Sequence, residues 1–493
     1  MRRSLLALLA VTVSVTALTA AAPAPGQAAG SPWPVLAKTG TWTTPAYSAW
    51  YSRSITSEHF SSPVVGDLGG RGRPSVVAGF PDGTVQAFDA VTGQRWYSMR
   101  TGAGAVQGSP SLVDWDRDGK LDVVAANTAG DVVVYNGKVQ QLFRVKAGDG
   151  RHQPGVFASP TVVDLDKNGT LDIVVPSWDH NIHVWTRGGK ELPGFPVFVK
   201  DTIWSSAAVG DLDLDGKLEI VFGYDCDGVP GQDCYPKRGG YLMALHHNGS
   251  RVAGWPRFLE GQVIWSSPAI AQLDDDRYPE VVVGTGLMPT SRMPGGKKVF
   301  AFQHNGRTLP GWPVTVGGRV MSSPAIGDVN GDGKMDVATV ADDGYLRVHS
   351  RDGSLQFAKC LANSPTGCPK SLHSSAVMAD INGDGLQDVV VGGEQWVNVY
   401  GRSGTLLARG VTVSGTYPVT AAPVVATVGG QTRIYAAASG KIGSAVNGRI
   451  FVWDALADGG AASWPAFHRN GAPLAVPGGR LRTTAHDGAL FAY

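Results

Sequence analysis

The chain has 493 residues, with 42 Lys and Arg against 41 Asp and Glu and a net charge of +1. That balance, with no Lys/Arg cluster and no interleaving of basic and aromatic residues, rules out the electrostatic footprint of a nucleic-acid binder. Its 66 glycines and 17% charged residues suit many tight turns, and no long amphipathic helical period runs through the mature region, which argues against an α/β enzyme core.

The amino terminus reads as a signal peptide over residues 1–29. Met1-Arg2-Arg3 is basic, Leu5 to Ala20 is apolar, and small residues follow up to Ala29. A membrane anchor is the weaker alternative, because the apolar run is short and a processing-like Ala-rich stretch follows. The paired arginines leave Sec and twin-arginine export both open. No second apolar span follows, so the expectation is a secreted, soluble, monomeric chain with no membrane span. Residues 30–58 form an N-terminal segment available for ring closure, and 59–493 are repetitive.

Eight units begin near Phe60, Gln107, Phe157, Trp204, Trp265, Met321, His373 and Thr420. Each opens on a Ser-Ser-Pro-like start, then an apolar run, an acidic loop and a second apolar run. Unit six continues through Asp342-Asp343-Gly344, Tyr345-Leu-Arg-Val-His349 and Arg351-Asp352-Gly353. Short Val-, Ile- and aromatic-rich runs punctuated by Asp-Gly are strand signals. Four strands per unit is the size of one propeller blade. The fold expected is therefore all-β, a β-propeller of four-stranded antiparallel blades. The unit count gives eight blades; pairing of the tail, residues 480–493, with residues 33–58 leaves seven open.

Five of the loops are intact nine-residue motifs. Their oxygen-bearing residues are Asp114, Asp116, Asp118 and Asp122, then Asp164, Asp166, Asn168 and Asp172, then Asp211, Asp213, Asp215 and Glu219. The last two sets are Asp328, Asn330, Asp332 and Asp336, and Asp380, Asn382, Asp384 and Asp388. Side chains at positions 1, 3 and 5 can turn inward together, glycine at position 6 permits the bend, and position 9 adds an acid. An all-oxygen set suits a hard cation with six or more ligands, calcium rather than magnesium. No Cys or His lies within the loops, which disfavours zinc or copper. The closing acid at 9 rather than 12 separates these loops from helix–loop–helix calcium hands. About five calcium sites are expected. Unit one has lost the acids after Asp67, unit five keeps Asp274, Asp276 and Glu280, and unit eight has none.

The fourth strand carries its own mark at Pro193-Gly-Phe-Pro196, Ala253-Gly-Trp-Pro256, Pro310-Gly-Trp-Pro313 and Ala462-Ser-Trp-Pro465. Proline is tolerated at a sheet edge, and the aromatic beside it reads as inter-blade packing, with a carbohydrate platform as the alternative. The four cysteines read as two local bridges, Cys226–Cys234 and Cys360–Cys368, in an oxidising compartment; three connectivities exist on paper.

The Ser-Ser-Pro, Asp-x-Asp/Asn-x-Asp-Gly-x-x-Asp, Val-Val-x-Gly arrangement resembles the FG-GAP repeats of the integrin alpha-subunit head, and more closely the secreted bacterial VCBS-repeat proteins. The resemblance covers about residues 59–455. It implies that each loop joins the first two strands of a blade and binds calcium. Relatives serve in adhesion and sugar binding and, less often, as polysaccharide lyases. Asp82 to Trp96 also resembles one repeat of the quinoprotein dehydrogenases, with no quinone site visible.

No nucleophile constellation stands out. The paired serines belong to the repeat and read as structural, and the scattered histidines, His180, His183, His246 and His247 among them, read as turn histidines. The most suggestive binding feature is the first residue of each unit. Phe157, Trp204 and Trp265, with His373 further round, would line an arc at the mouth opposite the calcium loops. Aromatic faces suit the C–H faces of sugars, and inter-blade packing is the alternative. The expected function is a non-catalytic binding or adhesion module for an extracellular glycan or protein. The alternative is a lyase-type polysaccharide-degrading enzyme on the same scaffold.

Overall fold

The computed structural model describes residues 38–47, 61–226, 233–286, 296–361, 368, 374–393, 396–411, 419–442 and 445–457. The signal-peptide stretch, Phe60, His373, Trp464 and the tail 480–493 lie outside the described residues. Eight four-stranded antiparallel sheets follow one another, each a blade, so the count is eight and not seven. In blade six the strands are Ala325–Gly327, Asp336–Val340, Tyr345–His349 and Leu355–Cys360, in spatial order from the axis outward. Among the described residues, no helix is long and apolar enough to cross a membrane.

The strands alternate less than solvent-facing sheets do, and the reason is their setting. Second strands such as Asp122–Ala126, Glu280–Gly284 and Asp388–Gly392 are buried along their whole length, because a neighbouring blade covers each face. The apolar core therefore lies between blades: Val221, Leu242 and Ala244 of blade four pack with Ile270, Val281 and Phe300 of blade five. Outermost strands such as Arg95–Arg100 alternate buried and exposed.

Two repeat residues owe their identity to this packing. The glycine at the fifth position of the second strand lies tight against the next blade: a Cβ on Gly223 would lie 2.2 Å from Ile264 Cγ2, and one on Gly284 2.4 Å from Val320 Cγ1. The second residue of the Ser-Ser-like start, a serine in seven blades, stitches the blades together. Ser62 N–H donates to Ser109 Oγ at 2.9 Å, Ser109 to Ser159 at 2.8 Å, Ser159 to Ser206 at 2.9 Å and Ser206 to Ser267 at 2.9 Å. Ser267 donates to Ser323 at 3.3 Å and Ser323 to Ser375 at 2.9 Å; Ala422 N–H of blade eight returns to Ser62 Oγ at 3.0 Å. All these serines are buried, so their hydroxyls satisfy backbone groups that water cannot reach. Blade eight has Ala422 where the other seven carry serine.

The fourth-strand aromatics lock neighbouring blades from outside. Trp255 and Trp312 are buried, and their indole N–H groups donate to His304 O and Arg351 O of the next blade at 2.8 Å each. They are packing residues, not a carbohydrate platform. The ring closes through blade eight. Its inner strands are Val424–Val428, Gln431–Ile442 and Ala445–Asp454, and its outermost strand is Lys38–Tyr47 from the other end of the chain. The register runs Lys38 to Trp453 and Tyr47 to Val446. Cys226–Cys234 and Cys360–Cys368 are disulfides, each spanning 8 residues of sequence.

Candidate metal centres and the aromatic face

Each acidic loop joins the innermost and second strands of its blade, as between Thr161–Val163 and Asp172–Pro176. The residue at position 2 anchors it: Leu68, Trp115, Leu165, Leu212, Leu273, Val329 and Ile381 are all buried. The position 9 acid then ties the loop shut. Its carboxylate accepts the position 2 N–H in six blades: Trp115 to Asp122 at 3.0 Å, Leu165 to Asp172 at 3.2 Å, Leu212 to Glu219 at 2.7 Å, Leu273 to Glu280 at 2.7 Å, Val329 to Asp336 at 3.0 Å and Ile381 to Asp388 at 2.9 Å.

The position 1 aspartate clamps the bend from the other side. Asp114, Asp164, Asp211, Asp328 and Asp380 each accept the N–H of the position 6 glycine, at 2.9, 2.7, 3.1, 2.8 and 2.9 Å. Each of the five intact loops has two left-handed residues. Position 6 is always glycine, but position 4 is also left-handed: Arg117 (φ 63), Lys167 (φ 59) and Leu214 (φ 59), with Gly331 and Gly383 (both φ 78) in the other two. Sequence reasoning missed position 4, although the glycines there in units six and seven were a signal.

These contacts use some carboxylate oxygens and leave others pointing at one another. Asp114, Asp116 and Asp122 each place a ligand oxygen within 4.8 Å of the other two, as do Asp164, Asp166 and Asp172, and Asp211, Asp213 and Asp215. Asp164 Oδ1, Asp172 Oδ1, Asp211 Oδ1 and Asp388 Oδ1 are buried with no hydrogen-bond partner. A buried carboxylate oxygen without a partner is costly, and its neighbours are of like charge. Burial, with the nearby carboxylates, pushes Asp122, Asp172, Asp336 and Asp388 up to about 7. Buried, converging, unsatisfied anionic oxygens fit a hard cation. These acidic clusters, five of them expected from sequence, could hold metal ions.

Units one and five keep more geometry than their residues suggest. Asp67 still accepts the N–H groups of Arg71 and Gly72, both at 2.8 Å. In unit five burial lifts Glu280 to about 8, and its Oε1 is buried without a partner. Blade four adds a nitrogen: His246 Nδ1 lies 3.1 Å from Glu219 Oε1, and Asp213, Glu219 and His246 form one further cluster.

At the other end of the strands the predicted arc comes together. Trp204 stacks on Trp265 with centroids 4.0 Å apart, and Phe157 lies 4.8 Å from Trp204. Trp178, absent from the predicted set, joins them, stacked on Phe157 at 3.9 Å and 4.5 Å from Trp204. All four rings are only partly buried. Trp178 is on the turn between the second and third strands of blade three, the end opposite the acidic loop, which is how it reaches an arc built by first strands. Trp265 Nε1 is held by Asp225 Oδ2 at 2.9 Å.

The FG-GAP-like repeat family matches residues 114–175, 164–222, 272–339 and 328–391. The fold is similar to that of BamB from Moraxella catarrhalis, at 13% identity and a TM-score of 0.51, covering 84% of this chain and 100% of that one. It is also similar to quinohemoprotein alcohol dehydrogenase from Comamonas testosteroni, at 12% identity and a TM-score of 0.53, covering 86% and 77%. Among curated proteins, no sequence matches this chain.

Proposed function

The chain carries FG-GAP-like repeats that form an eight-bladed β-propeller, and from that premise we propose a secreted, calcium-stabilised binding module for an extracellular glycan or protein. The aromatic face carries this reading. Phe157, Trp178, Trp204 and Trp265 make a continuous, partly exposed surface, and rigid aromatic rings offer contact area at low entropic cost. The acidic loops serve the scaffold. Calcium supplies charge neutralisation and a fixed coordination shell there; the aspartates, asparagines and Glu219 at positions 1, 3, 5 and 9 hold it. Two disulfides are in keeping with an oxidising compartment outside the cell.

A glycan array probed in calcium buffer tests the binding role. The wild type should register a defined set of glycans, and the double variant Trp204→Ala, Trp265→Ala should lose them while keeping its melting temperature within a few degrees. An identical array profile for the variant would remove the aromatic face from the account. The same polysaccharides, assayed for new unsaturated ends, would replace a binding module with a lyase if such ends accumulate.

A further inference from the structure

Three departures from the repeat converge on one spot at the end of the strands opposite the acidic loops. The first is a histidine where the repeat wants glycine. In the turn between second and third strands, one residue is left-handed, and its carbonyl accepts the N–H that ends the fourth strand. That residue is Gly83 in blade one (φ 80), Gly130 in blade two (φ 88) and Gly344 in blade six (φ 81). Blade three has His180 there, at φ 66, still accepting from Val199 N–H at 2.7 Å. A side chain in this conformation costs about 1 kcal/mol or more, and strain retained at one copy of a repeat points to a use.

The second departure is an insertion. The joint leading out of blade two, Ala147 to Val156, is four residues longer than the matching joint Thr101 to Val106, and the added residues present His152. The third is the lengthened hairpin of blade four. Glu219–Cys226 and Gly239–His246 run 8 residues each, the Cys226–Cys234 disulfide closes the extension, and Asp233 adjoins that bridge.

We infer that His152, His180 and Asp233 form a binding site for a zinc-class divalent transition-metal ion, distinct from the acidic loops. Each offers one ligand atom, and the three atoms lie within 4.8 Å of one another. The two imidazoles face each other with centroids 4.1 Å apart. His152 Nδ1 is 2.7 Å from Asp149 Oδ2, which fixes the ring and directs its other nitrogen away, the arrangement that supports metal-ligating histidines. His180 Nδ1 is buried with no hydrogen-bond partner. Two imidazole nitrogens and one carboxylate oxygen suit zinc and its neighbours, whereas calcium takes oxygens. With three protein donors and Asp233 exposed, a fourth position faces solvent.

The test titrates zinc, and separately cobalt, into the full chain stripped with chelator and returned to millimolar calcium, so that the acidic loops are filled. Calorimetry should show one zinc site that His180→Gly lacks, and cobalt should give a visible absorption band in the wild type alone. Because glycine is the repeat's own residue at this backbone position, His180→Gly should fold and melt at least as high as the wild type without zinc. Asp149→Asn, which leaves all three donors, should weaken zinc about ten- to a hundredfold. His152→Ala serves as an independent donor deletion. Equal zinc stoichiometry and affinity in the wild type, His180→Gly and His152→Ala would overturn the assignment, as would the absence of a zinc site in the wild type.

Discussion

His183 brings a positive charge into the body of blade three. Its Nε2 is 2.9 Å from Asp179 Oδ2 and its Nδ1 2.7 Å from Glu191 Oε1, with His183 and Asp179 almost wholly shielded from water. Burial alone would lower the imidazole, but the hydrogen bonds to Asp179 and Glu191 outweigh it and lift His183 to about 9. The unfolded value is about 6.5. The group is raised on folding, so its contribution is fully present below pH 6.5 and is lost as pH climbs through 9. Urea unfolding of the wild type should show stability falling over that window by something on the order of 2 kcal/mol, and His183→Gln should flatten the slope. A wild-type profile with no downward slope there would contradict the buried imidazolium. The sequence displayed His180 and His183 side by side near a hairpin tip without separating their roles. Alternation puts His183 inside the sheet, while His180 takes a turn conformation that no residue preference announces. Trp178 was missed for a related reason: it belongs to a turn, and the arc was sought at first-strand starts.

At the scale of the element, the acidic loop is the unit that was most legible. Its acid spacing and its glycine were read from recurrence, since five copies constrain what one cannot, and its place between the first two strands is what the family resemblance implied. What recurrence did not expose is that the closing acid is two-faced. In Asp172, Glu280 and Asp388 one oxygen holds the position 2 N–H, and the other is buried without a hydrogen-bond partner. Without a cation, a carboxylate raised to about 7 is a liability; a bound calcium ion would turn it into a ligand. Asp172→Asn should therefore lower the melting temperature in millimolar calcium but leave it unchanged or slightly higher in chelator, measured by differential scanning calorimetry. A wild type whose melting curve is indifferent to calcium would count against metal in these loops. Each site filled at a hundred times its Kd adds about 2.7 kcal/mol, so several sites together should move the wild-type transition by many degrees.

The whole molecule is held as a circle by apolar blade-on-blade contact, by the belt of buried serines, by the indole locks of Trp255 and Trp312 and by the closing strand Lys38–Tyr47. The belt was visible as a Ser-Ser-Pro repeat whose hydroxyls satisfy buried backbone groups, but that its bonds run from blade to blade was not, because, apart from Ala422 to Ser62, each spans about fifty residues between units that look self-contained. Ser159→Ala should cost about 1–3 kcal/mol by leaving Ser109 N–H buried without its acceptor. Ala422→Ser, which supplies the hydroxyl that blade eight lacks, should gain about 1 kcal/mol, read as a higher denaturant midpoint; a loss instead would show that the site is too tightly packed to take an oxygen. Residues 33–58 were expected to close the ring against the tail 480–493, which lies outside the described residues; the described partner of Lys38–Tyr47 is Ala445–Asp454, a strand of unit eight itself. That partnership dictates the order of assembly. Chains fold largely from the amino terminus as they are synthesised, and seven blades can each form from their own consecutive stretch. The eighth cannot, because its outer strand is among the first segments made and its inner three are among the last. Lys38–Tyr47, the first of the described strands, must wait through most of synthesis before its neighbour Ala445–Asp454 exists, and the toroid is sealed late.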